Sequence, residues 1–521
     1  MRTGTSPIFS TFSFRILAVA LAALAWAAPG SRGAETDQAR YFVVSINDQR
    51  VGFARERAFH TKQGNLVSTS EIVFRIARFE TELRISVRTE FVETADGRPV
   101  SMRAVTDMGG SESIEEFVWH GETVRHTTTN GGRTTQRERE APGGTWLTPG
   151  AVGKFVQARI QAGAEQVVYS TLDPSTGLDR VLNTMDRKGT EKIEILGREI
   201  EAIRWNVVQS VMPDMVTTTH SDQHGETLRT EMPFGGLHMV MVRSDRETAM
   251  SDQPPAEIMA STLVRAEGEV RSPRTSRRAT YHLTAAREDI TLPDLPTTGA
   301  QRAERLEDGS IRVTIDLDNR IAEPDHAADQ DGLLARSTVV DTADEMIRRL
   351  ADRAVAGLDP DATDREKAEA MRRFVLRFIR NKSLDVGFAT ASEVARNPEG
   401  DCTEHAVLLA ALLRVHNIPS RAANGLIYVD QFGPGERVFG FHMWTQALIA
   451  DEETRTLVWE DFDAAWPQAM DATHIITSVT DLGDDSMLEA YASLARVIGV
   501  LRIRVESIES EAPEPTMQEI R

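Results

Sequence analysis

"EGDCTEHAVLLAALLRVHNIPSR", residues 399–421, holds the one cysteine of a 521-residue chain. Asp401 is a good helix cap, and Cys402 then falls at the first helical position. From there Val407, Leu408, Ala411, Leu412 and Val415 continue an apolar stripe. Leu409 and Leu413 widen it until most sides are apolar, which is the pattern of a buried helix. Asn417 suits the left-handed position after the helix, and Pro419 ends it. The stretch therefore predicts a buried helix with a thiol at its N-terminus. Unpaired N–H groups and the positive end of the helix dipole lower a thiol's pKa there, so Cys402 is a candidate nucleophile. An inert core thiol is the alternative. Glu404, in the first turn, reads as compensating the dipole.

Upstream, "TADEMIRRLADRAVAG" and "TDREKAEAMRRFVLRFIRN" are amphipathic. In the second, Ala368, Met371, Phe374, Val375, Phe378 and Ile379 follow helical spacing, with Thr363 or Asp364 as cap. Downstream come the strand-like runs "GLIYV", "HMWTQALIA", "TLVWEDF" and "IGVLRIRV". Helices, a central buried helix and then antiparallel strands describe an α+β domain, expected over residues 336–510.

The N-terminal part reads differently. In "ETELRISVRTEF", Leu83, Ile85, Val87 and Phe91 share one face while Arg84, Ser86, Arg88 and Glu90 share the other, the period of a half-buried strand. Turn signals recur at Asn47-Asp48, Asp96-Gly97 and Asn130-Gly131-Gly132. Residues 35–270 are thus expected to form an antiparallel β-rich domain with one helix at "LTPGAVGKFVQARIQ". Residues 271–335 read as a linker or small β element with a strand at "SIRVTIDLD", and 511–521 as a flexible tail. Met212, Met215, Met232, Met239 and Met241 with His220, His224 and His238 lack the compact spacing of a soft-metal site. They read as strand core and surface histidines.

At the start of the chain, Arg2 and Arg15 precede "ILAVALAALAWAA", which is too short for a permanent transmembrane helix and is followed by small residues. Residues 1–34 are read as a signal peptide, so the mature protein is expected to be exported, in the bacterial periplasm or outside the cell, without an integral membrane segment. No cysteine follows the apolar run, which excludes an acylated-Cys anchor. The chain carries a net charge of −20, and −23 once residues 1–34, with three arginines and no acid, are removed. Such a balance disfavours nucleic acid as a partner. A single cysteine makes no internal disulfide, so its retention in an oxidising compartment asks for burial or for chemistry.

Chemistry is supported by two motifs downstream of Cys402. "FGFHMWTQALI" places His442 at the entry of a strand, and "VWEDFDAAWP" ends the next strand in acids. A hairpin of the two would set the imidazole and an acid side by side against the helix start. A thiolate to attack, an imidazole to move the proton and an acid to fix the ring are the parts of nucleophilic acyl transfer. Zinc is a lesser reading of Cys402 and His405, with His416, His442 and His474 at hand. Trp444, Trp459 and Trp466 read as core or cleft wall.

"GDCTEHAVLLAALLRVHNIPSRAANGLIYV", "FGFHMWTQALI" and "WEDFDAAWPQAMDATHI" resemble, in order and spacing, the three core motifs of the transglutaminase-like superfamily, whose fold is papain-like. The resemblance spans roughly Asp341 to Thr480. "SLDVGFATASEVARNPEGDC" and "DATHI" look like bacterial exported members, and "YFVVSINDQRVGFARE" and "FVETADGRPVSM" like the β-rich phrases that precede such domains. The resemblance implies Cys402 as nucleophile, His442 as general base and acid, and Asp463 as the orienting acid, with no metal or cofactor. Asp463 is preferred because the motif runs Trp, three residues, Asp from Trp459; Asp461 is the alternative. Ala464-Ala465 departs from the family's Pro and hydroxyl residue, a change that leaves the triad untouched. The Cys402 N–H is the natural oxyanion donor, with a second sought between Asn381 and Ser392. These residues imply an exported acyl-transfer enzyme acting on protein or peptide amides, either a protease or amidase or a transglutaminase. The other reading is a catalytically silent envelope binding or scaffold protein that uses its β-rich domain.

Overall fold

The computed structural model describes residues 39–78, 81–234, 236–257, 259–288, 290–323, 330–381, 389–432, 435–483 and 497–510. The expected signal peptide and C-terminal tail lie outside the described residues. Compact packing divides the chain between residues 258 and 259.

In the N-terminal unit, eight strands from Arg40–Ile46 to Arg133–Glu140 follow one another as antiparallel neighbours. Six more, from Gln166–Leu172 to Leu237–Ser244, do the same, and Arg40–Ile46 pairs with Leu237–Ser244 to join the two runs. The helix Pro149–Gln161 separates them in sequence. This is the antiparallel β-rich domain that the period-two runs predict. In the strand Thr81–Glu93, Leu83, Ile85, Val87 and Phe91 are buried, and Arg84, Arg88 and Glu90 are exposed. Ser86, expected on the outer face, is buried too, so that face is covered at its position. Met232, Met239 and Met241 are strand core, while His224 and His238 are exposed. His220 is not a surface histidine: it is buried, with Nε2 2.5 Å from Glu191 Oε1.

The C-terminal unit carries the cysteine. Its strands are β1 (Val264–Glu267), β2 (Ser276–Ala285), β3 (Gln301–Arg305), β4 (Ile311–Asp316), β5 (Ser420–Phe432), β6 (Gly435–Ala450), β7 (Leu457–Phe462), β8 (Ile475–Thr480) and β9 (Leu501–Ser510). Among the described residues, a short helix at Gln330–Leu334 and four more helices precede β5: α1 (Glu345–Val355), α2 (Asp364–Phe378), α3 (Ala391–Arg396) and α4 (Cys402–Val415). The sheet runs β3-β4-β2-β9-β1-β6-β5-β8, with β7 also paired to β6. Only β1 and β9 pair in parallel among these described strands. The span 271–335 contributes three strands to this sheet: β2 pairs with β9, and β4 lies between β2 and β3.

Local chemistry starts two helices where the sequence predicts, at Thr363 and Asp401, and a third at Thr390 that the sequence reading does not reach. Thr363, Thr390 and Asp401 each cap a helix and share a reciprocal capping box with Glu366, Glu393 and Glu404. Every residue from Cys402 to Arg414 is buried, and Asn417 takes φ +58° after the helix. The buried Arg414 guanidinium is satisfied by the carbonyls of Ala335, Ser420 and Asp481, which fixes the C-terminal end of α4. No helix of the described residues is long and apolar enough to cross a membrane.

Candidate active site

At the start of α4 the chain turns through Gly400 at φ +144°, where a Cβ would lie 2.3 Å from Glu404 Cγ. Only glycine fits so close an approach. Asp401 then accepts from Thr403 N at 2.9 Å, and Glu404 accepts from Asp401 N at 2.9 Å and from Ala389 N at 2.8 Å. Cys402 is thus the first residue of a helix whose entry is pinned on both sides. Burial, with the Asp401 carboxylate beside it, pushes the Glu404 carboxyl well above its ordinary value. Glu404 consequently carries less negative charge beside the thiol than a surface carboxylate would, so its part is to hold backbone more than to balance the dipole.

α4 packs on β6, and Thr445 Oγ1 donates to the Ala406 carbonyl at 2.9 Å. Ala406 is one turn beyond Cys402, and Thr445 is three residues beyond His442, so this bond ties the first turns of the helix to the strand that bears the histidine. His442 pairs with Gly425 of β5. A Cβ on Gly425 would lie 2.0 Å from the Ile475 carbonyl oxygen and 2.8 Å from Trp444, so the sheet closes here only around glycine.

β6 and β7 form the antiparallel pair that the motifs predict, with Thr445 opposite Phe462. His442 Nε2 lies 2.8 Å from Asp463 Oδ2, and both side chains are buried. Asp461, the alternative acid, instead accepts from Trp444 Nε1 at 2.8 Å and Gln446 Nε2 at 2.9 Å. The structure therefore pairs the imidazole with Asp463. The Ala465 N–H donates to Asp463 Oδ1 at 2.8 Å, and because the contact is made by backbone it does not depend on the side chain that departs from the family's pattern. Arg372, on α2, donates to the Asp463 carbonyl at 3.1 Å.

A second imidazole shares the acid. His474 Nε2 lies 3.3 Å from Asp463 Oδ2, and its Nδ1 faces Asp471 Oδ1 at 3.2 Å. Burial alone would raise the Asp463 carboxyl, but His442 and then His474 hold it well below the usual carboxylate range. Burial would likewise lower His474, yet Asp471 and Asp463 push it up to about 9. Arg274 donates to Asp471 Oδ2 at 2.6 Å and stacks over Trp466 at 4.8 Å. Motif reasoning reaches His474 only as a metal ligand and misses Asp471 and Arg274. The Asp-x-x-His spacing of "DATHI" is a usable signal for the first pair, whereas nothing local links Arg274 to residues some two hundred positions away.

The donor atoms of His442, Asp463 and His474 lie within 4.8 Å of one another. Both imidazoles aim at the same carboxylate oxygen at hydrogen-bonding distance, and both His474 nitrogens face oxygens, so the three side chains are joined as a hydrogen-bonded cluster. Cys402, His405 and His416 are outside this group; His405 Nδ1 lies 2.6 Å from the Asp401 carbonyl oxygen, and His416 Nε2 lies 3.8 Å from Asp352. Trp444 is core beside both imidazoles, and Trp459 stacks under the Arg421 guanidinium at 3.7 Å. Cys402 itself is 0% exposed. The segment expected to supply a second oxyanion donor falls mostly on 382–388, outside the described residues.

Among solved structures, a β-barrel-like protein of a domain family of unknown function from Brucella abortus is similar at 12% identity and TM-score 0.31, covering 40% of this chain and 95% of that one. A protein named as a candidate cysteine protease from Cytophaga hutchinsonii is similar at 14% identity and TM-score 0.26, over 46% of this chain and 90% of that one. Another named as a candidate protease, from Parabacteroides distasonis, has 12% identity and TM-score 0.17, over 66% and 62%. No curated protein matches the sequence. The family model of the transglutaminase-like superfamily matches residues 348–464, the span that contains Cys402, His442 and Asp463. The α+β C-terminal unit, with its papain-like succession of cysteine-bearing helix and antiparallel strands, therefore carries a transglutaminase-like domain.

Proposed function

We propose that this protein is an exported cysteine-dependent acyl-transfer enzyme acting on amide or peptide bonds, and that its reaction is hydrolytic. The observation that carries the reading is the buried 2.8 Å bond between His442 Nε2 and Asp463 Oδ2, on a strand packed against the helix that begins at Cys402. A polar pair this deep is costly to keep without a use. With Nε2 turned to the acid, Nδ1 is the ring nitrogen that exchanges a proton with the thiol.

In the reaction, the Cys402 thiolate adds to the carbonyl carbon, and the oxyanion is met by the Cys402 N–H at the positive end of α4. The His442 imidazolium gives its proton to the leaving amine as the C–N bond breaks, which leaves a thioester on Cys402. Water, deprotonated by His442, then adds to the thioester; collapse releases the carboxylic acid and returns the thiolate. An amine in place of water would make the same site a transamidase. Water needs no second binding site, which is the ground for preferring hydrolysis.

One observation favours the other reading, a catalytically silent binding or scaffold protein working through its β-rich unit: the thiol is fully buried. Catalysis requires the cover over Cys402 to open. The rate of Cys402 alkylation against pH, in the native protein and in His442→Ala, separates the two. Fast labelling well below the free-thiol pKa of about 8.5, weakened in the variant, is expected of the enzyme. Slow labelling that rises only in alkali and ignores the variant would leave the scaffold reading.

A further inference from the structure

His474 lies outside the three residues assigned to acyl transfer, yet both of its ring nitrogens face acceptors. Nε2 is 3.3 Å from Asp463 Oδ2; Nδ1 is 3.2 Å from Asp471 Oδ1 and 3.1 Å from the Asp471 carbonyl oxygen. A neutral imidazole has one N–H and one lone pair, so it satisfies only one of two facing acceptors, whereas the protonated ring donates to both. Asp471 is itself held by Arg274 Nη1 at 2.6 Å, by Thr473 N at 2.9 Å and by Thr473 Oγ1 at 2.5 Å.

We infer that His474 is a positioning residue: a buried imidazolium, anchored through Asp471 by Arg274, that orients Asp463 and tempers the pull of that acid on His442. The inference rests on the acyl-transfer reading of Cys402, His442 and Asp463. Around His474 the charged and titratable groups are Asp463 and Asp461 at the end of β7, Asp471 before β8, His442 on β6, and Arg274 and Tyr281, which reach it through Asp471. The upward displacement of His474 to about 9 and the depression of Asp463 agree with the geometry.

A carboxylate shared between two cationic rings raises the proton affinity of each less than it would raise one alone. His442 is therefore left able to surrender its proton to a leaving amine. His474→Gln keeps an N–H for Asp463 but removes the charge, so His442 holds its proton more tightly and the Cys402 thiolate forms at lower pH.

Two measurements on the full chain test this. Nitrogen NMR of the histidine rings is expected to show both nitrogens of His474 protonated until the pH approaches about 9; a neutral His474 ring at about pH 7 would overturn the inference. That measurement needs no variant and stands if His474→Gln fails to fold. Second, the pH midpoint of Cys402 alkylation is expected to fall by about half a unit or more in His474→Gln, with a lower kcat on amide substrates. Labelling that depends on His442 but keeps its midpoint in His474→Gln sinks the positioning role alone. Labelling independent of His442 sinks the acyl-transfer reading, and the positioning role with it.

Discussion

Asp461 and Asp463 are two residues apart, the first half-buried and the second buried, and the sequence leaves both open as the orienting acid. Their partners separate them: Asp463 holds an imidazole, whereas Asp461 holds an indole and an amide. Asp463→Asn is therefore expected to lower kcat/KM on an amide substrate by roughly 10²- to 10⁴-fold, because an amide cannot fix the imidazole tautomer or stabilise its charged form. Asp461→Asn is expected to leave the pH dependence of Cys402 alkylation in place and to lower stability by about 1–2 kcal/mol, since Oδ1 already accepts from both donors and the amide oxygen keeps both bonds but loses the charge that strengthens them. Steady-state kinetics and urea unfolding of the two variants check the assignment, and the reverse pattern would exchange the two acids. At this scale the motif spacing makes the pairing of His442 with Asp463 legible, and the place of Cys402 at the start of α4. His474 is visible there only as a possible ligand, because the evidence for its role is the pair of oxygens facing its two nitrogens, and neither contact has a spacing rule of its own.

Elements are legible wherever a local rule governs them. The Asp-x-x-Glu start, the apolar stripe and the Asn-x-Pro stop of α4 each arise from short-range sterics and hydrogen bonding, and each is found in place. What no local rule reveals is the second bond of Glu404, to the N–H of Ala389, which joins the helix start to the segment before α3. Glu404→Ala would strand two buried backbone donors, at Ala389 and Asp401, at a cost of about 2 kcal/mol or more. An exposed capping box would lose about 1 kcal/mol. Glu404→Gln, which can accept only one of the two bonds well, is expected to fall between. Denaturant midpoints of the three proteins rank these outcomes, and equal stability of Glu404→Ala and the native chain would show that the entry to α4 is held by other contacts.

At the scale of the molecule, the sequence suggests a catalytic domain beginning near residue 336, because helical periodicity starts there and the preceding stretch is broken by proline and threonine. The contacts run further back. β1 pairs with β6, the strand of His442, and β2 covers nearly the whole length of β9. Gln301 accepts from the Ile476 N–H and donates to the Ile476 carbonyl, Tyr281 donates to the Ala472 carbonyl, and Arg274 holds Asp471. A strand order that joins residues 264–316 to residues 435–510 carries no signature in periodicity, since both partners show the same period of two. A chain of residues 336–521 would expose the edge of β9 and leave Asp471, a buried carboxylate, without its guanidinium. Removing one partner of such a pair costs about 3–5 kcal/mol, and an uncovered β edge invites aggregation. A chain of residues 259–521 keeps every one of these contacts. The longer chain is expected to be soluble, to unfold cooperatively and to retain His442-dependent labelling of Cys402, while the shorter one aggregates or unfolds without a transition. Folding of the shorter chain with its thiol chemistry intact would mean that β1–β4 and Arg274 are dispensable, and that the domain does begin where its first helix does.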